Sequence, residues 1–185
     1  MSRGILTKLF LLLALLPGCT GIPEGISAVE NIDTERYLGK WYEIARLDHS
    51  FERGMNRVTA QYSLRDDGGI RVINRGYKEK KKEWSEAEGR AYFVGEKGSG
   101  RLKVSFFGPF YGGYNIIELD RANYSYAMIC GYNMDYLWIL ARTPELDKKT
   151  RDELLQKAKN LGFAVEKLIF PEQGPWGSGT LIPVF

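Results

Sequence analysis

The 185 residues contain a single histidine, His49, and only two cysteines, Cys19 and Cys130. One His leaves no His/Cys cluster able to hold a metal, and no Cys/His or Ser/His/Asp constellation is legible; the chain reads as a protein without catalysis, cofactor or metal. An excess of charge of one sign is also missing. The 26 basic residues face 23 acidic ones, for a formal net charge of +3, which excludes the basic footprint of a nucleic-acid binder. Long apolar runs are missing too. The stretch Leu9–Leu16 holds eight apolar residues and would span only ~12 Å as a helix, too short to cross a bilayer. What the chain has in quantity is aromatic residues (13%) and glycine (21 residues), a pairing that suits strands joined by tight turns. Its length allows one domain with a real core.

The N-terminus reads as an address. Arg3 and Lys8 supply a positive start with no acid before residue 19, and Leu9–Leu16 has the length of a secretory h-region. Leu16-Pro17-Gly18-Cys19 resembles the bacterial lipobox, in which Leu at −3 and a small residue at −1 precede a Cys that is diacylated and becomes the mature first residue. Pro17 departs from the usual residue at −2, and an ordinary signal peptide is the alternative. Thr20 stands where an Asp would retain a lipoprotein in the inner membrane, which implies the outer membrane. With Cys19 lipidated, Cys130 has no partner within the chain; its apolar surroundings, Ala127 to Gly131, predict a buried small hydrophobe.

Strand candidates then follow in steady succession: Gly39–Leu47, Val58–Leu64, Ile70–Tyr77, Ser85–Phe93, Arg101–Phe106, Tyr114–Leu119, Tyr126–Cys130 and Leu137–Arg142. Their separators are rich in Gly, Asp, Asn and Pro. Arg101 to Phe106 alternates polar and apolar residues, the mark of a strand with one wet face. A helix is expected from Asp147 to about Leu161, with Gly162 as its stop, and a ninth strand from Ala164 to Phe170. The predicted fold is all-β: an eight-stranded up-and-down antiparallel barrel, one helix on its C-terminal side and a short ninth strand. Closure removes the sheet edges and leaves an interior able to hold one small ligand. The expected organisation is a signal over 1–18, a tether over 19–33, the barrel over 34–172 and a tail over 173–185.

Gly39-Lys40-Trp41 on the first strand carries a G-x-W signature, and Arg142 ends the eighth strand about a hundred residues later. Together they resemble the lipocalin family, in which the Arg stacks on the Trp across the closed end of the barrel; such a contact is worth ~0.5–2 kcal/mol. The family's middle motif is kept loosely, as Asp120 and Tyr124. Further stretches, such as Trp41 to Arg46, Val104 to Tyr114 and Tyr136 to Leu140, look like the bacterial outer-membrane branch of that family. The likeness covers roughly residues 30–172. It implies an envelope protein, anchored to the outer membrane and facing the periplasm, that stores or transports fatty acids or lysophospholipids. Oligomeric state is left open, a homodimer included.

Strand parity gives the expected ligand-facing residues: Ala45, Val72, Asn74, Ala91, Phe93, Val104, Phe106 and Trp138, with Tyr114 at the mouth near a headgroup. Trp41 phases the first strand and turns Glu43 and Ala45 inward. The small residues Ala45, Ala60, Gly76, Gly89 and Ala91 argue for internal space; the alternative is a structural lipoprotein whose barrel is filled by its own core. Connections alternate between the two ends of a meander. Asp48–Arg57, Lys78–Lys82, Gly108–Gly113 and Gly131–Asp135 therefore ring the mouth, and the tether starts at the closed end. There Lys78, Lys80, Lys81 and Lys82 with Phe107, Phe110 and Tyr111 suit contact with anionic headgroups; a solvated rim is the alternative.

Overall fold

Gly39 opens the first strand with φ +92°, and a Cβ there would meet the Arg142 guanidinium at 3.3 Å. Only glycine serves both the backbone turn and the close approach. The computed structural model describes residues 19–174; the signal expected over 1–18 and the tail from residue 175 lie outside them. From Gly39 the chain runs up and down through β1 (Gly39–Arg46), β2 (Met55–Leu64), β3 (Ile70–Lys78), β4 (Glu83–Phe93), β5 (Arg101–Phe107), β6 (Phe110–Leu119), β7 (Tyr126–Cys130) and β8 (Leu137–Ala141). Every neighbour is antiparallel and β8 pairs with β1, so the barrel is closed. This is the expected meander, and each strand overlaps its predicted range.

Two helices flank it. Just before β1 the chain makes a one-turn helix, α1 (Thr34–Tyr37), capped by Asp33. It carries Tyr37 into the closed end. The predicted long helix is α2 (Lys148–Asn160); the Asp147 side chain accepts from the Thr150 N–H and caps it. Leu154 and Ala158 bury its inner face on the outside of the barrel wall, against Ile44, Met128 and Ile139. Cys130 is buried in this outer layer, as a small hydrophobe, and burial pushes its thiol up to about 12. The ninth strand is not formed as a strand. Val165–Lys167 makes a 3-10 turn instead, and one bridge, Arg46 to Ile169, is all that pairs with β1. The bridge uses the edge of β1 that β2 leaves beyond Tyr42; the chain turns through Val165–Lys167 before it, and Pro171 after it has no N–H to donate.

The segment before α1 departs most from expectation. It does leave from the closed end, where the Ile32 N–H donates to Gly98 O at 2.7 Å. It then lies back along the barrel wall as a strap. The Val29 N–H donates to Ile116 O (2.8 Å) and the Gly113 N–H to Cys19 O (2.6 Å). The buried Asn115 amide donates to Gly21 O at 3.0 Å. The approach is close: a Cβ on Gly113 would meet Gly21 O at 2.7 Å. Ile22 and Ile26 join the outer core. Thus Cys19 lies at the level of the open end, not on a free leash from the closed one.

Candidate functional site

The closed end is built around Trp41, which is fully buried and donates from its indole N–H to Tyr37 O at 2.8 Å. The Arg142 Cζ lies 3.8 Å from the Trp41 ring centroid. Its guanidinium donates to four backbone carbonyls: Lys40 (2.9 Å), Arg36 (2.6 Å), Tyr37 (3.2 Å) and Tyr124 (3.2 Å). The expected Gly39, Trp41 and Arg142 therefore meet, and Arg142 also ties α1 to the barrel. The loosely kept middle motif serves the same end. Asp120 accepts from the Ala122, Asn123 and Ser125 N–H groups, and the Tyr124 hydroxyl accepts from the Asp33 N–H at 2.9 Å.

Above this plug is a cavity of about 670 Å³, open at the other end. A barrel filled by its own side chains does not describe this interior. Ile70, Val72, Ala91, Leu102 and Val104 form the lower wall, with Phe106 and Trp138 higher up. Of the predicted ligand-facing residues, Val72, Asn74, Ala91, Val104, Phe106, Tyr114 and Trp138 border it. Phe93 packs into the core at the closed end of β4 and does not border the cavity. Ala45 faces outward into the core beneath α2. The cause is a β-bulge between Glu43 and Ala45: Glu43 pairs with inward Leu140, but Ala45 pairs with outward Ile139. Strict alternation from Trp41 fails at that point. Gly89 adds no room either, because the Phe106 ring lies 2.8 Å from where its Cβ would be.

Tyr114 is not at the mouth. It reaches the cavity floor, where its hydroxyl lies 2.7 Å from that of Tyr37 and 2.9 Å from that of Tyr62. Burial raises all three phenols above their ordinary range, so they stay neutral. Three hydroxyl protons and two internal hydrogen bonds leave one proton to donate elsewhere. The period-two pattern of β2, in which Val58, Ala60 and Tyr62 are buried, could have revealed Tyr62; nothing comparable marks Tyr37.

The bulge that turns Ala45 out turns Arg46 in. Its side chain is buried and donates to Glu43 Oε1 (2.5 Å), Glu52 O (2.9 Å) and Met55 O (3.2 Å). This draws the β1–β2 connection inward at the mouth. Glu52 is buried there, takes the Trp138 indole N–H at 3.1 Å and lies 3.2 Å from His49 Nε2. Burial raises both Glu43 and Glu52. The Arg46 guanidinium beside them works against that rise. Burial, then Arg46, lowers His49 to about 4, so its ring is neutral.

The mouth itself is ringed by the four connections expected there, from which Phe51, Met55, Lys78, Phe110 and Tyr132 border the cavity. Among the described residues no group of three His, Cys, Asp or Glu side chains could hold a metal ion.

A family profile described as a lipocalin-like domain matches residues 32–173. The outer membrane lipoprotein Blc of Vibrio cholerae is 55% identical over 167 residues, covering 89% of this chain and 98% of its own. The protein of the same name from Escherichia coli K12 is 56% identical over 151 residues, 82% of this chain and 85% of its own. Among solved structures, insecticyanin of the tobacco hornworm Manduca sexta superposes with a TM-score of 0.66 at 21% identity, over 82% of this chain and 86% of that one. At that identity the likeness concerns the fold alone.

Proposed function

This chain belongs to the lipocalin family, and on that premise we propose that it is a lipid-anchored protein of the bacterial outer membrane, facing the periplasm, that binds single acyl-chain lipids. Fatty acids and lysophospholipids are the intended class, for storage or transport and without catalysis. The observation that carries this reading is the open apolar cavity of about 670 Å³. That volume lies within the range of small-molecule sites. An acyl chain that buries ten methylenes there gains ~8 kcal/mol before the costs of ordering it. The tail runs down past Val104 and Ala91 toward the floor. The polar end stays level with Glu43 and Glu52, where the Arg46 guanidinium offsets carboxylate charge. The anchor rests on Cys19, which is exposed, on the lipobox-like residues before it, and on relatives named as outer membrane lipoproteins.

The test has two arms. A fluorescent fatty acid should bind the purified protein and be displaced by lysophospholipid, and native mass spectrometry should find co-purified lipid. Protein that neither binds the probe nor carries lipid would defeat the ligand reading. In a Gram-negative host the wild type should partition with membranes and Cys19→Ser should be soluble in the periplasm; a soluble wild type would defeat the anchor reading.

A further inference from the structure

Cys19 and the mouth of the cavity lie at the same end of the barrel. The last hydrogen bond of the strap, from the Gly113 N–H to Cys19 O, is made three residues along β6 from Phe110. Three strand residues rise ~10 Å, so Cys19 is held within about that height of the β5–β6 tip. The same end carries most of the large apolar side chains that the described residues leave in water. Phe107 is 80% exposed, Phe110 79%, Phe51 55% and Tyr132 38%; the other two such residues, Leu64 and Phe170, lie elsewhere. All four mouth aromatics also border the cavity. Solvent-exposed apolar groups gathered at one end mark an interaction surface. A protein that is merely tethered needs no such cluster and no strap.

We propose that this aromatic rim is a membrane-docking face. The strap delivers acyl chains on Cys19 at the level of the mouth, Phe107, Phe110, Phe51 and Tyr132 enter the headgroup region, and the cavity opens directly onto the lipid surface. This rests on the anchor reading of Cys19. Fixed anchor and apolar rim then act on one bilayer, and the second contact adds to the first as a linked site does. Electrostatics assists the same contact. Lys81 lies 3.8 Å from Glu83 and Arg53 is paired with Asp48, but Lys78, Lys80, Lys81 and Lys82 face only Glu79 and Glu83 at the β3–β4 tip, so the rim keeps an excess of positive charge toward anionic headgroups. A ligand can then pass between bilayer and cavity without crossing water. That removes the cost of exposing its chain, ~0.8 kcal/mol per methylene.

The experiment uses the lipidated full-length protein in vesicles of phosphatidylethanolamine and phosphatidylglycerol. A nitroxide is placed at the rim through Phe110→Cys or at the closed end through Asp66→Cys. Cys130 is buried and Cys19 carries the anchor, so the new thiol takes the label. Docking predicts that the rim label loses collision with a water-soluble nickel chelate and gains it with oxygen, while the closed-end label stays aqueous. A rim label as wet as the closed-end one, on protein that co-sediments with vesicles, overturns the docking and leaves the anchor standing. Failure to co-sediment removes the anchor reading and the docking with it. The same rim label is also read on a soluble Cys19→Ser chain without lipid. Shielding there would assign the aromatics to a second copy of the chain and overturn the proposal as well.

Discussion

Replacing Arg142 by lysine keeps the charge and removes the fork. The guanidinium stacks on Trp41 at 3.8 Å and donates to four carbonyls from three separate segments. A lysine ammonium on the same stem can serve one or two of these and cannot lie flat on the indole. The Arg36 and Lys40 carbonyls are near water, which can replace the lost donor. The Tyr37 carbonyl is partly buried but keeps the Trp41 indole N–H. The partly buried Tyr124 carbonyl has no such second donor, and leaving it bare costs ~1 kcal/mol or more. Weakening of the cation–π contact adds ~1 kcal/mol. The expected loss is therefore ~2 kcal/mol, a large share of a typical stability of ~5–15 kcal/mol. For a chain of this size that lowers the Tm by roughly 4–8 °C. Urea and thermal melts followed by circular dichroism read it directly. Arg142→Met should be destabilised by a similar amount, because the geometry of the fork, more than its charge, closes the base. A Lys variant within 1 kcal/mol of wild type, or one far more stable than the Met variant, would refute this account.

Two further outcomes follow from the interior. Ala91 borders the lower cavity between Ile70 and Val104, so Ala91→Trp should abolish binding of a fluorescent fatty acid while circular dichroism still shows the barrel; equal binding would place the ligand elsewhere. His49 is held neutral, at about 4, among Phe51, Tyr136 and Trp138. Its folded value lies below the unfolded 6.5, so the unfolded chain binds the proton first as pH falls. Stability present above pH 6.5 is therefore lost progressively toward pH 4. His49→Phe keeps the stacking and removes this loss. Relative to wild type it should gain about 2 kcal/mol between pH 7 and 4.5, after allowance for the water that reaches the mouth. Parallel urea midpoints at the two pH values would count against it.

The sequence by itself determined the meander, because period-two patterning and Gly-rich turns are local signals that no distant contact had to supply. It determined the closed end as well: Gly39, Trp41 and Arg142 are recognisable as types at a spacing, and the barrel had only to bring them together. It also determined most of the cavity wall, since parity along β3, β4 and β5 holds wherever the pairing is regular. Tertiary structure decided the exceptions. One extra residue at the β1 bulge exchanged Ala45 for Arg46 inside the barrel, and bulges depend on how a sheet must bend to close. The level of Tyr114 depended on strand stagger, which placed it on the floor beside Tyr37 and Tyr62 and away from the rim. The ninth strand shrank to a single bridge at Ile169, because the chain turns through Val165–Lys167 before it reaches the edge of β1. The strap was invisible because its partners are remote. The carbonyls of Cys19 and Gly21 are satisfied by Gly113 and Asn115, more than ninety residues away along the chain, and nothing in a polar stretch with Pro and Gly announces such pairing. That placement, made by long-range hydrogen bonds and by the packing of Ile22 and Ile26 on the barrel wall, is what brings Cys19 to the mouth.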